Sequence, residues 1–175
     1  RADDELSFSA EVSVKAAKQA LENADLKPTD IDCVIVSAAN LQRAYPAIAI
    51  EVQNELGIEG YAYDMMVGCS ASTFGINNAF ADIRAGKSSK ILVISPEITS
   101  GHNNFKNRDG HFIFGDVCTA VVIEKASKGK NKFKIIDTKL KTTFSNNIRN
   151  NFGYMNTIED KKYSEAEQLF VQNGR

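Results

Sequence analysis

Two short runs, Cys33-Val34-Ile35-Val36 and Ile91-Leu92-Val93-Ile94, are apolar at every position. A β-strand sends successive side chains to opposite faces, so a strand with no polar face must be covered on both sides. That is the condition of a parallel strand inside an α/β sheet. The intervening segments have the matching helical character. Pro46 suits the first position of a helix whose Ile48, Val52 and Leu56 form one stripe before Gly57 ends it. Upstream, Ser9 is placed to cap a helix reaching about Ala24, because Val14, Ala17, Leu21 and Ala24 recur at helical spacing and Pro28 closes the next turn. Strands and helices alternate as far as Glu97, which predicts an α/β fold with a largely parallel sheet.

Beyond Glu97 the pattern changes. Ile98 to His111 is polar and irregular, the composition of a functional loop, and FIFGDVCTAVVIEKA then resumes strand character. The lysines between Lys125 and Lys134 read as a solvated turn. Ile136, Thr138, Leu140, Thr142 and Phe144 alternate with polar neighbours, which predicts another strand. After the turn-like SNNIRNNFGYMN, the spacing of Tyr163, Ala166, Leu169 and Phe170 predicts a short closing helix.

Cys69 is the first candidate for chemistry. A β-rich run ends at Val67-Gly68, and Cys69 opens a segment containing Phe74, Ile76, Ala79, Phe80 and Ile83 that reads as a helix covered nearly all round. Free N–H groups and the positive end of the dipole at a helix start favour negative charge there. Taken alone, the residue is either a nucleophile or an inert buried thiol. Cys33 and Cys118 sit inside apolar runs and read as small buried hydrophobes. His102 and His111 could serve as a base for Cys69, but structural roles suit both better.

Composition removes several function classes. The 175 residues are 43% hydrophobic and 25% charged with a formal net charge of −1, so nothing draws the chain to nucleic acid or an anionic membrane. Three cysteines without a CxxC pair argue against a disulfide framework and against zinc. With no signal peptide or membrane-length apolar run, a reducing, cytoplasmic setting is expected.

Four blocks in order, YPAIAIEVQNELGI, DMMVGCSAS, KNRDG and HFIFGDVCTAVVI, resemble the 3-oxoacyl-acyl-carrier-protein synthase III family of the thiolase fold. GDVCTAVVI and FSNNIRNNFG further resemble the branch that accepts preformed medium-chain acyl primers, the β-ketodecanoyl synthase type. The resemblance implies a layered αβαβα fold. Residues 1–126 would form the N-terminal half without its first strand, which is expected mid-sheet, and residues 127–175 the connection into a second half that brings a catalytic histidine and asparagine after Arg175.

By the same resemblance, Cys69 is the acyl-accepting nucleophile and its N–H half of an oxyanion hole. Tyr45 matches an aromatic that reaches the partner's acyl pocket in a homodimer, and Phe114 matches a pocket-lining residue. Arg108 matches an arginine that packs on coenzyme A and favours the acyl-carrier protein, with Lys106 beside it. The implied substrates are acyl-coenzyme A and malonyl-acyl-carrier-protein, with no metal or redox cofactor. With only half the fold present, one sheet face and the Cys69 helix would be left partly uncovered. Two other readings keep the fold: a synthase with a coenzyme A-linked acceptor, of the polyketide, quinolone or hydroxymethylglutaryl type, and a non-catalytic dimer-forming core.

Overall fold

The structure is a computed structural model that describes residues 5–108, 110–126, 133–150 and the backbone of 170–172. Its elements in chain order are α1 (Phe8–Asn23), β1 (Cys33–Ala38), α2 (Ile48–Leu56), β2 (Tyr61–Met66), α3 (Ala71–Arg84), β3 (Lys90–Glu97), β4 (Val117–Glu124), β5 (Ile148–Asn150) and β6 (Phe170–Gln172). The chain divides into two compact units, Arg1–Glu97 with Val117–Leu140, and Ile98–Asp116 with Lys141–Arg175. These units interleave along the chain.

The first unit is built on a four-stranded sheet in the order β2-β1-β3-β4. β1 runs parallel to both β2 and β3, and β4 closes the other edge antiparallel to β3. The expectation that a strand is missing from the middle is overturned, because β1 pairs directly with β3 from Cys33↔Ile91 to Val36↔Ile94. The central ladder is therefore complete, and within this sheet only the outer edges of β2 and β4 remain open.

All six residues of β1 are buried. Their alternation divides the core in two: Val34, Val36, Leu92 and Ile94 face α1 and α2, while Cys33, Ile35, Ile91 and Val93 face α3. On the first face the strands meet Ala10, Val14, Ala17 and Leu21 of α1 and Ile48, Ala49 and Val52 of α2. The sheet thus lies between two helical layers, as its doubly apolar strands require.

The helix starts differ from the sequence reading. Ser7, not Ser9, caps α1: its hydroxyl accepts from the Ala10 N–H at 3.2 Å. Ser7 is fixed by Glu51 of α2, whose carboxylate accepts from the Ser7 N–H at 2.9 Å and the Ser7 hydroxyl at 2.8 Å. Ser9 is itself in the helix and buried, so it cannot act as the boundary. Pro46 likewise lies before α2, whose N-cap is Ala47. Gly57 ends α2 in the left-handed region at φ 65°, as expected.

Three further expectations fail. Phe112 and Ile113 lie in a turn, Phe114 and Gly115 are irregular, and the strand begins only at Val117. Ile136 to Phe144 alternate as a strand would but pair with no other strand among the described residues, and Ile136 and Phe144 are 86% and 91% exposed. A strand needs a hydrogen-bonding neighbour as well as the right side chains, and the described residues supply none there. Phe170 belongs to β6, paired antiparallel with β5 through Asn150↔Phe170, instead of ending a helix. Tyr163, Ala166 and Leu169 lie outside the described residues.

Candidate active site

Cys69 lies at the junction of β2 and α3. β2 ends at Met66, Val67 turns away, and Gly68 adopts φ 55°, a left-handed conformation that an L side chain resists. That glycine lets the chain turn sharply into the short helical turn Gly68–Ser70, with Cys69 at its centre and α3 directly after. A Cβ on Gly68 would meet nothing within 4 Å, so the glycine is needed for its dihedral and not for space.

Cys69 is exposed, and no side chain caps the α3 start at Ser70. Charge developing on an oxygen near Cys69 would meet the positive end of the helix. The other two thiols are different. Burial pushes Cys33 and Cys118 up from 9.0 to about 11, so both stay protonated at neutral pH. Cys33 is wholly buried, and the Cys118 thiol lies 3.9 Å from the Ser13 hydroxyl. Cys33 is a core thiol, as its apolar run predicts, whereas Cys118 is only partly buried at the edge of the core.

α3 is held tightly to the sheet beneath Cys69. Gly75 packs where any side chain would collide with Val93 and Ser37. The Ser37 hydroxyl donates to the Ala71 carbonyl at 2.6 Å, and the Ser72 hydroxyl donates to Ser95 at 2.7 Å. Only Ala71, Gly75 and Ala79 of α3 are buried, so the all-round cover expected from its composition is not present. Phe74, Ile76, Phe80 and Ile83 are half-buried on its flanks.

Tyr45 belongs to the same unit. It is 84% exposed on the loop before α2. The start of α2 is set by Asp64 of β2, whose carboxylate accepts from the Ile48 N–H and the Ala49 N–H, each at 2.8 Å. Burial pushes the Asp64 carboxyl above its usual value, partly offset by those two bonds. The same loop is tied at its other end by Glu97, which accepts from the Ala39 N–H at 2.9 Å and is likewise raised by burial. Sequence reasoning missed both carboxylates. Asp64 in the strand AYDMMV was the available signal, since a charge in a half-buried strand needs partners.

Lys106, Arg108 and Phe114 lie in the other unit, on the loop 98–116. Lys106 and Arg108 are exposed, and Phe114 is half-buried. The loop is internally bonded: the Asn103 side chain donates to the His111 carbonyl at 3.2 Å, and the His111 N–H donates to the Asn107 carbonyl at 3.0 Å. His111 Nδ1 lies 3.0 Å from the same carbonyl, a local structural role. Burial holds His102 below its usual value, so it is neutral at pH 7. Sequence reading also passed over Asp116, which binds Ser100 at the neck of this loop.

Among the described residues no cluster of three or more His, Cys, Asp or Glu side chains is placed to hold a metal, and no helix is long and apolar enough to cross a membrane. A shallow cavity of about 330 Å³ lies along α3, lined by Thr73, Ile76 and Asn77 with Ile135, Thr138 and Leu140. It contains none of the residues singled out above as candidates for chemistry. Its rim is tied by the Thr138 hydroxyl, which donates to the Asn77 side-chain oxygen at 2.7 Å.

Comparison with known proteins agrees with this arrangement. Residues 63–143, which contain Cys69, Lys106, Arg108 and Phe114, match the family described as 3-oxoacyl-[acyl-carrier-protein (ACP)] synthase III. A β-ketodecanoyl-[acyl-carrier-protein] synthase of Pseudomonas aeruginosa is 53% identical over 177 residues, covering 100% of this chain and 51% of that protein. A β-ketoacyl-[acyl-carrier-protein] synthase III of Brucella anthropi is 40% identical over 71% of this chain and 38% of that protein. Among solved structures, the synthase III of Aquifex aeolicus superposes with a TM-score of 0.66 at 30% identity, over 70% of this chain and 40% of that one. Another 3-oxoacyl-(acyl-carrier-protein) synthase III structure shares the fold over 98% of this chain and 52% of its own, with a TM-score of 0.76 at 18% identity. The chain therefore spans about half the length, or less, of the relatives it matches. With a thiolase-like α/β half of matching topology and a matching segment around Cys69, the chain belongs to the 3-oxoacyl-[acyl-carrier-protein] synthase III family.

Proposed function

We propose that this chain carries the acyl-accepting half of a synthase III reaction, with Cys69 as the nucleophile. The observation that carries the reading is the exposed Cys69 behind the left-handed Gly68, at the start of α3 and inside the matched segment. The Cys69 sulfur attacks the thioester carbonyl of an acyl-coenzyme A, and a carbon–sulfur bond forms as the carbonyl oxygen becomes negative. The Cys69 N–H, at the positive end of α3, is suited to that oxygen. Collapse breaks the bond to coenzyme A, which leaves as a thiolate and takes up a proton. The acyl group remains on Cys69.

In the complete reaction, malonyl-acyl-carrier-protein then loses carbon dioxide, and the electron pair left behind forms an enolate. Its carbon attacks the acyl-Cys69 carbonyl, expels the cysteine thiolate and yields a β-ketoacyl-acyl-carrier-protein. The resemblance assigns enolate stabilisation to a histidine and an asparagine that match no residue of this chain. The 175-residue chain alone is accordingly expected to be acylated but not to condense. Similarity to the P. aeruginosa relative favours a medium-chain primer. Arg108 and Lys106 are assigned to coenzyme A and carrier protein, Phe114 to the acyl pocket, and Tyr45 to the pocket of a partner subunit in a cytoplasmic homodimer.

The test is incubation with octanoyl-coenzyme A and, separately, acetyl-coenzyme A, followed by intact mass measurement. One acyl adduct, larger in yield with octanoyl and absent in Cys69→Ala, is expected. An adduct that survives Cys69→Ala, or none with either donor, rejects the reading.

A further inference from the structure

The loop that carries Lys106 and Arg108 leaves β3 at Glu97 and returns into β4 at Val117, residues that face each other in the ladder. Its neck is closed by side chains. The Asp116 carboxylate accepts from the Ser100 N–H at 2.8 Å through one oxygen and from the Ser100 hydroxyl at 2.6 Å through the other. Beside this pair, the Thr99 hydroxyl donates to the Gly115 carbonyl at 3.0 Å. Deeper in the loop, the buried Asn103 joins its two arms through the His111 carbonyl. Turns closed by the Asn107 N–H on the Asn104 carbonyl and by the Ile113 N–H on the Gly110 carbonyl complete it.

Hydrogen bonds to an ionised acceptor are stronger than neutral ones, and a carboxylate gripping both donors of one residue also fixes direction. Ser100 lowers the Asp116 carboxyl, first through its hydroxyl and then through its N–H, so the group is ionised at neutral pH. A loop closed in advance spares a ligand the entropy of ordering it. If only a fraction of molecules has the loop closed, apparent affinity falls by that fraction.

We propose that Asp116 is a positioning residue: by clasping Ser100 it holds the 98–116 loop closed and keeps Arg108 and Lys106 in place for the nucleotide end of coenzyme A. The inference rests on the functional reading above for the identity of the ligand, and on the Asp116–Ser100 geometry for the mechanism. It also separates two substitutions of the same residue. In Asp116→Asn the side-chain oxygen still accepts from the Ser100 N–H, and the new amide can donate to the Ser100 hydroxyl, which rotates to accept. In Asp116→Ala both bonds are lost.

The experiment uses the 175-residue chain, with hydrogen exchange at the Ser100 amide, calorimetric binding of coenzyme A, and alkylation of Cys69 by iodoacetamide. Asp116→Ala is expected to speed Ser100 exchange and weaken coenzyme A binding, each about tenfold, while Cys69 alkylation is unchanged. Asp116→Asn is expected to recover most of both losses, and Ser100→Ala to fall between the two. Unchanged Ser100 exchange in Asp116→Ala overturns the clasp. Faster exchange with unchanged affinity, where Arg108→Ala does weaken binding, overturns the positioning role and leaves the functional reading standing. A wild-type chain that binds no coenzyme A overturns both.

Discussion

Gly75 of α3 lies against Val93 of β3 with no room for a side chain: a Cβ there would stand 2.8 Å from Val93 Cγ1 and 3.1 Å from Ser37 Cβ. The contact sets the depth at which α3, and with it Cys69, rests on the sheet. Gly75→Ala adds helix propensity worth about 1 kcal/mol, but crowding a packed interface costs roughly 1–3 kcal/mol. The branched Val93 and the Ser37 β-carbon cannot swing aside. We expect a net loss of about 1 kcal/mol for Gly75→Ala and clearly more for Gly75→Leu, measured as a shift in urea midpoint. An alanine variant as stable as wild type would show that the helix can lift at no cost.

Asp64 connects the strand leading to Cys69 with the helix following Tyr45. Asp64→Ala strips both acceptors from the first turn of α2 and should cost about 1–2 kcal/mol, as other lost N-caps do. Asp64→Asn retains one acceptor and should cost less. The pH dependence follows from burial, which raises this carboxyl above its ordinary 3.8. The resulting stability contribution is fully present below that ordinary value and is lost as pH rises through the raised one. The wild-type advantage over Asp64→Asn should therefore be greatest in acid and narrow toward neutrality. Denaturation of the two proteins across that range checks it; a gap that widens with pH would mean the two N–H bonds outweigh burial.

The three thiols should behave as one reactive and two silent groups. At pH 8 brief treatment of the native chain with iodoacetamide is expected to modify Cys69 alone, whereas the urea-unfolded chain should take up three labels. Because Cys33 and Cys118 are raised from 9.0 to about 11, their stability contribution is complete below pH 9 and lost as pH rises through about 11. Cys118→Ala should accordingly lose less stability than wild type over that interval. Native labelling of Cys33 at pH 8 would contradict its burial.

The fold was legible where a pattern had only one physical solution. Strands apolar on both faces, such as Cys33–Val36 and Ile91–Ile94, have to be sandwiched, and they are. Gly57 marked the end of α2, which its positive φ bears out. What escaped the sequence depended on partners distant in the chain. Ser7 prevails over Ser9 because Glu51, 44 residues away, holds it. Ile136 to Phe144 have strand spacing without a neighbouring strand among the described residues, and the composition of α3 promised cover that the described chain does not supply. At the candidate site, Cys69 stood out because a glycine precedes it at a helix start. Asp64, Glu97 and Asp116 did not, since their roles consist of backbone and hydroxyl donors that only the folded chain brings near.

The direct pairing of β1 with β3 has a consequence for assembly. The hydrogen-bonding demands of the sheet's centre are met by β2, β1, β3 and β4 of this chain, and the helices that cover it are α1, α2 and α3. Further strands can attach only at the rims, where they extend the sheet without rebuilding its middle.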